Sequence, residues 1–293
     1  MDLLLLVRRY VVPTLASLLA ITLALASCTP ESSRGGTSKP SAYDRVLATK
    51  TLRVAYISYP PSFVKDASTG AFSGIMHEAL QDIARRLELK VDYVSETAWG
   101  SMIEEVRSGR VDLVCTGLWP NATRGKFVDF TEPVYFSPIK AYVKTGNRAF
   151  DGSLKAVNSP TVRIATVDGE MTSIIAAADY PLAKAEAHPQ STAVAQMLLE
   201  VAAGKADVTF VEPAVAAGFL ENNLGAVEPV QGAEPVRVFP NVMMVAKGEA
   251  QLLSMLNIAL SEAENAGVLD RIVGKYEASP GLFLRRERPY RLP

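Results

Sequence analysis

The 293-residue sequence predicts an α/β protein of two lobes built on one plan, each a mostly parallel sheet flanked by helices. Two observations predict it. Residues 52–115 alternate β-rich runs with amphipathic helical stretches, which is the pattern of consecutive βαβ units. Residues 102–114 and 197–209 align without gaps at a Met, a Glu, a Val, a Gly and an Asp, so the later stretch repeats part of the earlier one.

The elements follow from side-chain spacing. Ile75, Ala79, Ile83 and Leu87 recur at every fourth position, which predicts one apolar helix face. The order strand, helix, strand, helix, strand implies a parallel sheet that binds ligands beyond the carboxyl ends of its strands, in the loops after Ile57 and Cys115. In lobe 1 we predict strands at 52–57, 89–94 and 111–115, one helix that begins at 74 and another over 99–108. In lobe 2 we predict a strand at 162–167, a helix that begins at about 171 and a second helix that ends at Gly204.

The repeat also singles out two positions. Asp112 aligns with Asp207, so Gly117 and Glu212 each stand five residues further on, at equivalent strand ends. If the two lobes face each other, Gly117 and Glu212 both face the cleft between them.

The N-terminal region predicts export and lipidation. Two arginines precede an apolar run at residues 10–26, which is typical of a signal peptide. The run leads into Leu-Ala-Ser-Cys, which resembles a bacterial lipobox and predicts cleavage of residues 1–27 and acylation of Cys28. An uncleaved transmembrane anchor is the alternative, but Pro13 interrupts the run and its ending favours cleavage.

Composition sets the domain boundaries. Residues 28–43 are rich in Ser, Thr, Gly and Pro, which predicts a flexible tether. We assign 44–143 and 242–276 to lobe 1, 144–241 to lobe 2 and 277–293 to a C-terminal tail that we expect to be solvated.

Charge and residue types exclude several classes of function. Thirty basic and 31 acidic residues give a net charge of −1, which argues against a nucleic-acid-binding surface. The two histidines, His77 and His188, are isolated, so the sequence predicts no metal site, no cofactor and no catalytic residue. Cys115 lies in an apolar run and is expected to be a buried thiol.

The segment GLWPNATRGKFVDFTEPVYFS at residues 117–137 resembles the type 3 extracellular solute-binding proteins that serve polar amino-acid ABC transporters. The resemblance runs from about residue 52 to 276. It implies the type II periplasmic binding fold, with a hinge of two crossovers near residues 140–150 and 235–245. It also implies a monomer that closes around a small polar solute such as an amino acid, outside the cytoplasmic membrane, and that delivers this solute to a permease.

The resemblance implies roles for several residues. Arg124 falls on the arginine that binds the ligand's α-carboxylate, and a guanidinium suits that task because its donors match a carboxylate bidentately. Glu212 falls on the acidic residue that binds the ligand's ammonium group. Tyr59 or Phe63 falls where an aromatic ring packs on the ligand, although either could equally close the edge of the core. Asn121 stands where its side chain can cap a short helix through residues 123–127.

The sequence departs from the family at the site. Trp119 replaces a Ser or Thr and Asn121 replaces a Thr. Glu170 falls in the turn where the family often has Gly-Thr-Thr, whose donors complete the carboxylate site. Asp168, Glu170 and Glu212 together favour a ligand with a positive group. The predicted ligand-binding residues are Tyr59, Phe63, Gly117, Trp119, Asn121, Arg124, Glu170, Thr172 and Glu212.

Two other functions remain open. An enzyme on the same scaffold, such as a dehydratase acting on a small carboxylic acid, could use Glu212 or Glu170 as a general acid or base. A sensory binding protein is the third possibility. It would normally have a transmembrane helix after the lobes, which residues 277–293 do not predict.

Overall fold

Helices and strands alternate from Ala42 onwards in the computed structural model, which describes residues 40–286. The predicted signal peptide and the lipidation site at Cys28 lie outside the described residues. The first elements are α1 (Ala42–Thr49), β1 (Thr51–Tyr56), β2 (Val64–Lys65), β3 (Phe72–Ser73), α2 (Ile75–Arg86), β4 (Lys90–Glu96), α3 (Met102–Arg107), β5 (Leu113–Leu118), a 3₁₀ turn (Arg124–Lys126), β6 (Val128–Phe130) and β7 (Tyr135–Lys144).

The second set of elements begins after β7. It comprises a 3₁₀ turn (Leu154–Val157), β8 (Arg163–Val167), α4 (Met171–Asp179), β9 (Lys184–His188), α5 (Ala195–Ala202), β10 (Thr209–Val211), α6 (Pro213–Asn222), β11 (Val227–Pro229), β12 (Arg237–Ala246), α7 (Ala250–Asn265) and α8 (Val268–Tyr276).

The predicted α/β architecture is confirmed. Strands and helices alternate in the expected order, and Ile75, Ala79 and Ile83 are buried along one face of α2, as their spacing predicts.

The strands form a mixed sheet around a parallel centre. Its order is β10-β7-β12-β5-β1-β4, and β1 runs parallel to both β4 and β5. β12 lies antiparallel to β5, because the chain returns to the first strands only after the second set of elements is complete. β8 and β9 form a separate parallel pair, and a bridge between Ile164 and Val208 brings β8 beside the start of β10.

Two ten-residue strands connect the predicted lobes. β7 and β12 pair antiparallel over residues 135–139 and 237–241. β7 continues beside β10 and β11 through residues 140–144, whereas β12 continues beside β5 and β6 through residues 242–246. Paired crossovers of this kind allow hinge motion, because a few residues at the crossing absorb the change in backbone angles.

The internal repeat reappears as a repeated set of hydrogen bonds. Asp112 accepts bonds from the backbone N, Nε and Nη2 of Arg53 at 2.8, 3.3 and 2.9 Å. Asp207 accepts the same three from Arg163 at 2.8, 3.1 and 2.7 Å. In both sets Nη2 also donates to the carbonyl of the glycine three positions before the aspartate. The aligned aspartates therefore join equivalent strands to equivalent helix ends.

Buried apolar side chains form three groups. One packs α2 and α7 on β1 and β5 and includes Cys115, which confirms the predicted buried thiol, and burial raises the pKa of that thiol. Another packs α4 on β8 and β10. The third combines Met102 with Met197 and so joins the two predicted lobes within one compact unit. No helix among residues 40–286 is long and apolar enough to cross a membrane.

The structure corrects one predicted boundary, the end of the tether, and the expected solvation of the C-terminal tail. α1 begins at Ala42, inside the predicted tether, because the hydroxyl of Ser41 caps it by accepting a bond from the backbone N of Asp44 at 3.0 Å. The described part of the predicted tail is not solvated throughout. Phe283 is buried against the ring of Tyr135, at 5.4 Å between ring centroids.

Ion pairs hold the same tail segment. Arg285 pairs with Asp270 at 3.0 Å, and Arg286 pairs with Glu132 at 3.3 Å. Composition alone could not reveal these partners, because they lie on elements distant in the sequence. The other two arginines of the predicted tail lie outside the described residues.

Candidate functional site

Arg124 lies where the two predicted lobes touch. Its Nη1 donates to the backbone oxygen of Trp119 and its Nη2 to that of Gly169, both at 2.8 Å. The side chain is buried, and burial lowers the pKa of its guanidinium while the nearby Glu170 opposes that effect. The positive side chain of Arg124, which belongs to lobe 1, therefore lies against a turn of lobe 2.

Asn121 holds the start of the turn that carries Arg124. Its Oδ1 accepts a hydrogen bond from the backbone N of Arg124 at 2.9 Å, which confirms the predicted capping role. The helix is shorter than predicted, a single 3₁₀ turn over Arg124–Lys126.

Glu212 lies directly after β10 and before the proline that begins α6. Its carboxylate accepts a hydrogen bond from the hydroxyl of Tyr59, which lies in the loop after β1 in predicted lobe 1. Burial raises the pKa of Glu212 to about 8, the charge of Glu170 adds to the rise, and the bond from Tyr59 opposes it. A bound cation would stabilise the ionised form of this carboxyl group.

Glu170 caps α4 with its side chain. Its Oε2 accepts hydrogen bonds from the backbone N and the hydroxyl of Thr172, both at 2.7 Å, and that hydroxyl oxygen in turn accepts one from the backbone N of Val167 at 3.0 Å. Burial raises the pKa of Glu170, whereas the Thr172 bonds and Arg124 favour its ionised form. The carboxylate therefore occupies the end of α4 that attracts anions.

Electrostatic effects join these groups into one site. The charge of Glu170 contributes to the raised pKa of both Tyr59 and Glu212, and it also attracts Arg124. Two hydrogen bonds cross between the lobes here, from Arg124 to Gly169 and from Tyr59 to Glu212. Arg124 and Tyr59 from lobe 1 therefore meet Glu170 and Glu212 from lobe 2 around one shared region.

The indole of Trp119 packs against strand β12. Its ring stacks on Phe239 with 4.7 Å between ring centroids, and its Nε1 donates to Oδ1 of Asn241 at 3.2 Å. Asn241 is fully buried and donates from Nδ2 to the hydroxyl of Ser137 at 2.8 Å. Asn241 and Ser137 lie on β12 and β7, so the paired strands also fix the position of Trp119.

Gly117 lies near the end of β5, in a space too narrow for a side chain. A Cβ atom there would lie 2.5 Å from Oγ of Ser62 and 2.9 Å from Oδ1 of Asn241. Glycine is therefore the residue that lets the Ser62 loop approach this strand end.

The two predicted aromatic candidates separate in the structure. Tyr59 packs edge-on against Trp99, at 5.6 Å between centroids, and its hydroxyl reaches Glu212. Phe63 instead lies in the lobe 1 core, stacked on Tyr56 at 5.1 Å, so the expectation that Phe63 contacts the ligand is replaced by a core role. The reason is a tight bridge between Tyr59 and Phe63 that turns the chain back on itself.

Sequence reasoning missed three residues of the site. The carbonyl of Gly169 accepts the bond from Arg124, Asn241 orients Trp119, and Trp99 packs on Tyr59. Only Asn241 leaves a signal in the sequence, since a lone amide before the apolar run VMMVA must find a buried partner. Backbone carbonyls such as that of Gly169 carry no such signal.

The loops around the site pack closely. A Cβ atom on Gly169 would lie 3.3 Å from the backbone N of Gly100, so these two glycines bring the lobes together backbone to backbone. A separate cavity of about 390 Å³ is lined by Tyr59, Val215 and Leu282 but not by Arg124 or Glu212.

Comparisons with known proteins agree on one family. The model of the bacterial extracellular solute-binding proteins, family 3, matches residues 52–279. A probable histidine-binding protein of Neisseria gonorrhoeae is 25% identical over 274 residues, covering 91% of this chain and 95% of its own length.

Solved structures agree on the fold. The crystal structure of the ancestral amino acid-binding protein AncCDT-1, a precursor of cyclohexadienyl dehydratase, has a TM-score of 0.71 and 27% identity, covering 81% of this chain and 99% of its own. An ancestral arginine-binding protein bound to arginine has a TM-score of 0.68 and 25% identity, covering 78% and 99%. The fold is therefore the two-lobe, type II periplasmic binding fold.

Proposed function

Because this chain belongs to the bacterial extracellular solute-binding proteins of family 3, we propose that it is the lipid-anchored, amino-acid-binding component of an ABC importer. The observation that carries the proposal is that a buried guanidinium, Arg124, and a buried carboxyl group, Glu212, each take part in a hydrogen bond that crosses between the lobes, Arg124 to Gly169 and Tyr59 to Glu212. The relatives reported above support it, because their names describe amino-acid-binding proteins.

The binding mode follows from the two charges. Arg124 uses two of its N–H donors on the carbonyls of Trp119 and Gly169, and a guanidinium carries five, so donors remain for a ligand carboxylate. Glu212 receives the ligand's ammonium group, and Tyr59 holds the carboxylate in place. Closure of the lobes removes water from both pairs. A charged group can be buried at low cost only when an opposite charge lies beside it. The site therefore favours amino acids, which carry both charges, over uncharged solutes.

The partner is a permease that accepts the closed protein. Two lobes joined by the paired strands β7 and β12 can present one surface when open and another when closed, and the permease distinguishes the two. The protein acts as a monomer and catalyses no reaction on its solute.

Calorimetric titration with the 20 common amino acids tests the proposal. We expect at least one to bind with a Kd in the micromolar range or tighter, about −8 kcal/mol. The same mixtures are then analysed for products. An unaltered solute supports a binding protein, whereas turnover supports the dehydratase-like alternative, and binding of no amino acid contradicts the proposal.

The lipid anchor is tested separately at Cys28. The full chain is expressed in a bacterial host, and its partition between membrane and soluble fractions is compared for the wild type, Cys28→Ser and Cys115→Ser. The chain has only these two cysteines, so Cys115→Ser is the matched control. We expect only Cys28→Ser to become soluble, because loss of the acyl chains removes about 0.8 kcal/mol per buried methylene. Equal membrane partition of all three contradicts the anchor.

A further inference from the structure

The carboxylate of Glu170 accepts hydrogen bonds from the donors that the family resemblance assigns to the ligand. The turn before α4 is the place where relatives complete a site for the ligand's α-carboxylate. Here the backbone N and the hydroxyl of Thr172 both donate to Oε2 of Glu170 at 2.7 Å. A ligand carboxylate at this turn would have to compete with a carboxylate that belongs to the protein.

Glu170 also lies next to the residue that Arg124 contacts. The guanidinium bonds to the carbonyl of Gly169, the residue immediately before Glu170, so the two buried charges are held near each other without a direct ion pair among the described contacts. Both side chains are buried, at 7% exposure for Arg124 and 3% for Glu170, so their charges are weakly screened. Arg124 therefore already has a counter-charge inside the protein.

Glu212 has no cation of the protein beside it. It accepts hydrogen bonds from the hydroxyls of Tyr59 and Ser137, and none of the ion pairs among residues 40–286 includes it, so a cation on the ligand would stabilise its ionised form. A ligand that brings an ammonium or guanidinium group supplies what is missing. A ligand that also brings a carboxylate adds a negative charge near Glu170, which is unfavourable in a buried site.

We propose that this site accepts organic amines that lack a carboxylate, because Glu170 supplies from within the protein the anion that an amino acid otherwise brings to Arg124. The proposal rests on the proposed function, since it concerns the same cleft. Glu170 is the residue that determines this specificity, and the ligands it admits are primary amines, diamines and guanidino-amines of amino-acid size.

The test compares each amino acid with its decarboxylated amine. The full chain is expressed, and the purified protein is titrated by calorimetry with L-arginine and agmatine and with L-lysine and cadaverine. We expect each amine to bind within about tenfold of its amino acid, whereas a site that needs the carboxylate would lose 100-fold or more, about 2.7 kcal/mol or above.

Substitution of Glu170 supplies the second arm. Glu170→Gln keeps an acceptor for Thr172 but removes the charge, and Glu170→Thr restores a helix cap with a hydroxyl. In both variants we expect the preference to move at least tenfold toward the amino acid. The matched control is Glu186→Gln, which removes an exposed carboxylate from β9 and should leave the preference unchanged.

The outcomes separate the two proposals. Binding of amino acids but not of amines by the wild type overturns this inference and leaves the proposed function intact. An unchanged preference in folded Glu170→Gln and Glu170→Thr also overturns it. If none of these four compounds binds, this inference is overturned, and the proposed function is overturned as well only if none of the 20 common amino acids binds in the titration described above.

Discussion

Nη2 of Arg124 lies 2.8 Å from the backbone oxygen of Gly169, so a cation of one lobe is held by the turn that precedes α4 in the other. Under the proposed binding mode, this bond forms when the lobes close around the ligand. It also implies that Arg124 contributes to affinity in two ways, through the ligand and through the closed arrangement of the lobes.

Replacement of Arg124 should therefore weaken amino-acid binding severely. We expect Arg124→Ala to raise the Kd at least about 100-fold, because charge-assisted hydrogen bonds contribute about 1.5–3 kcal/mol each. Arg124→Lys should recover only part of the loss, since one ammonium cannot reproduce the fork that spans Trp119 and Gly169. Arg148→Ala, on the exposed surface of lobe 2, is the control, and calorimetry is the measurement. An unchanged Kd in folded Arg124→Ala contradicts the site.

Glu212 should make binding depend on pH. Its pKa of about 8 means that the carboxyl group is mostly protonated at pH 7, so capture of a cation must release a proton. Affinity should rise by up to about tenfold per pH unit below pH 8 and level off above it. Titrations in buffers of different ionisation enthalpy measure the release. Glu212→Gln should bind weakly with no such dependence, although Tyr59 and Glu170 remain beside it.

The same group should limit stability at high pH. A folded-state pKa raised above the unfolded value means that the folded protein binds more protons between pH 4.5 and about 8, so stability falls as pH rises through this window. Glu212→Gln should therefore unfold at a higher temperature than the wild type at pH 9 and at a similar temperature at pH 4, where the carboxyl group is protonated in both the folded and the unfolded state. Thermal unfolding followed by circular dichroism at both values checks this, and an equal difference at the two pH values contradicts it.

The internal repeat offers a matched pair of substitutions. Asp112 is almost fully buried and holds Arg45 and Arg53, whereas Asp207 is 30% exposed and holds Arg163. We expect Asp112→Asn to cost about 3 kcal/mol, as for a broken buried pair, and Asp207→Asn about 1 kcal/mol, as for a pair near the surface. Urea unfolding measures both. Equal costs would show that burial does not set the strength of these bonds.

Gly117 should tolerate no side chain. The Cβ atom of Gly117→Ala would lie 2.5 Å from Oγ of Ser62, and overpacking of this kind costs about 1–3 kcal/mol. Gly218→Ala is the control, because it lies within α6 with nothing within 4 Å of the added atom and should stabilise the helix slightly. Urea unfolding of both variants, with calorimetry of the first, checks this. A neutral Gly117→Ala would show that the Ser62 loop can move away.

Most of the secondary structure could be predicted from the sequence because it depends on spacing within one element. The stripe through Ile75, Ala79 and Ile83 is buried in α2 as predicted. The aligned Asp112 and Asp207 play equivalent parts in both lobes. Boundaries were less predictable, as at Ala42, because a single side-chain cap decides where a helix begins.

The candidate site was predictable only in part. Arg124 and Glu212 lie at the contact between the lobes, and Asn121 caps as its position predicts. Tyr59 and Phe63 could not be told apart in the sequence, since which ring faces the cleft depends on the bridge between them.

The sequence by itself determined which elements form, which stretches are equivalent and which charged residues stand at strand ends, because these properties follow from local periodicity and alignment. Only the tertiary structure decided that Arg124 reaches the turn that carries Glu170, through the carbonyl of Gly169. The physical reason is that this contact depends on the approach of two lobes, which are joined by β7 and β12.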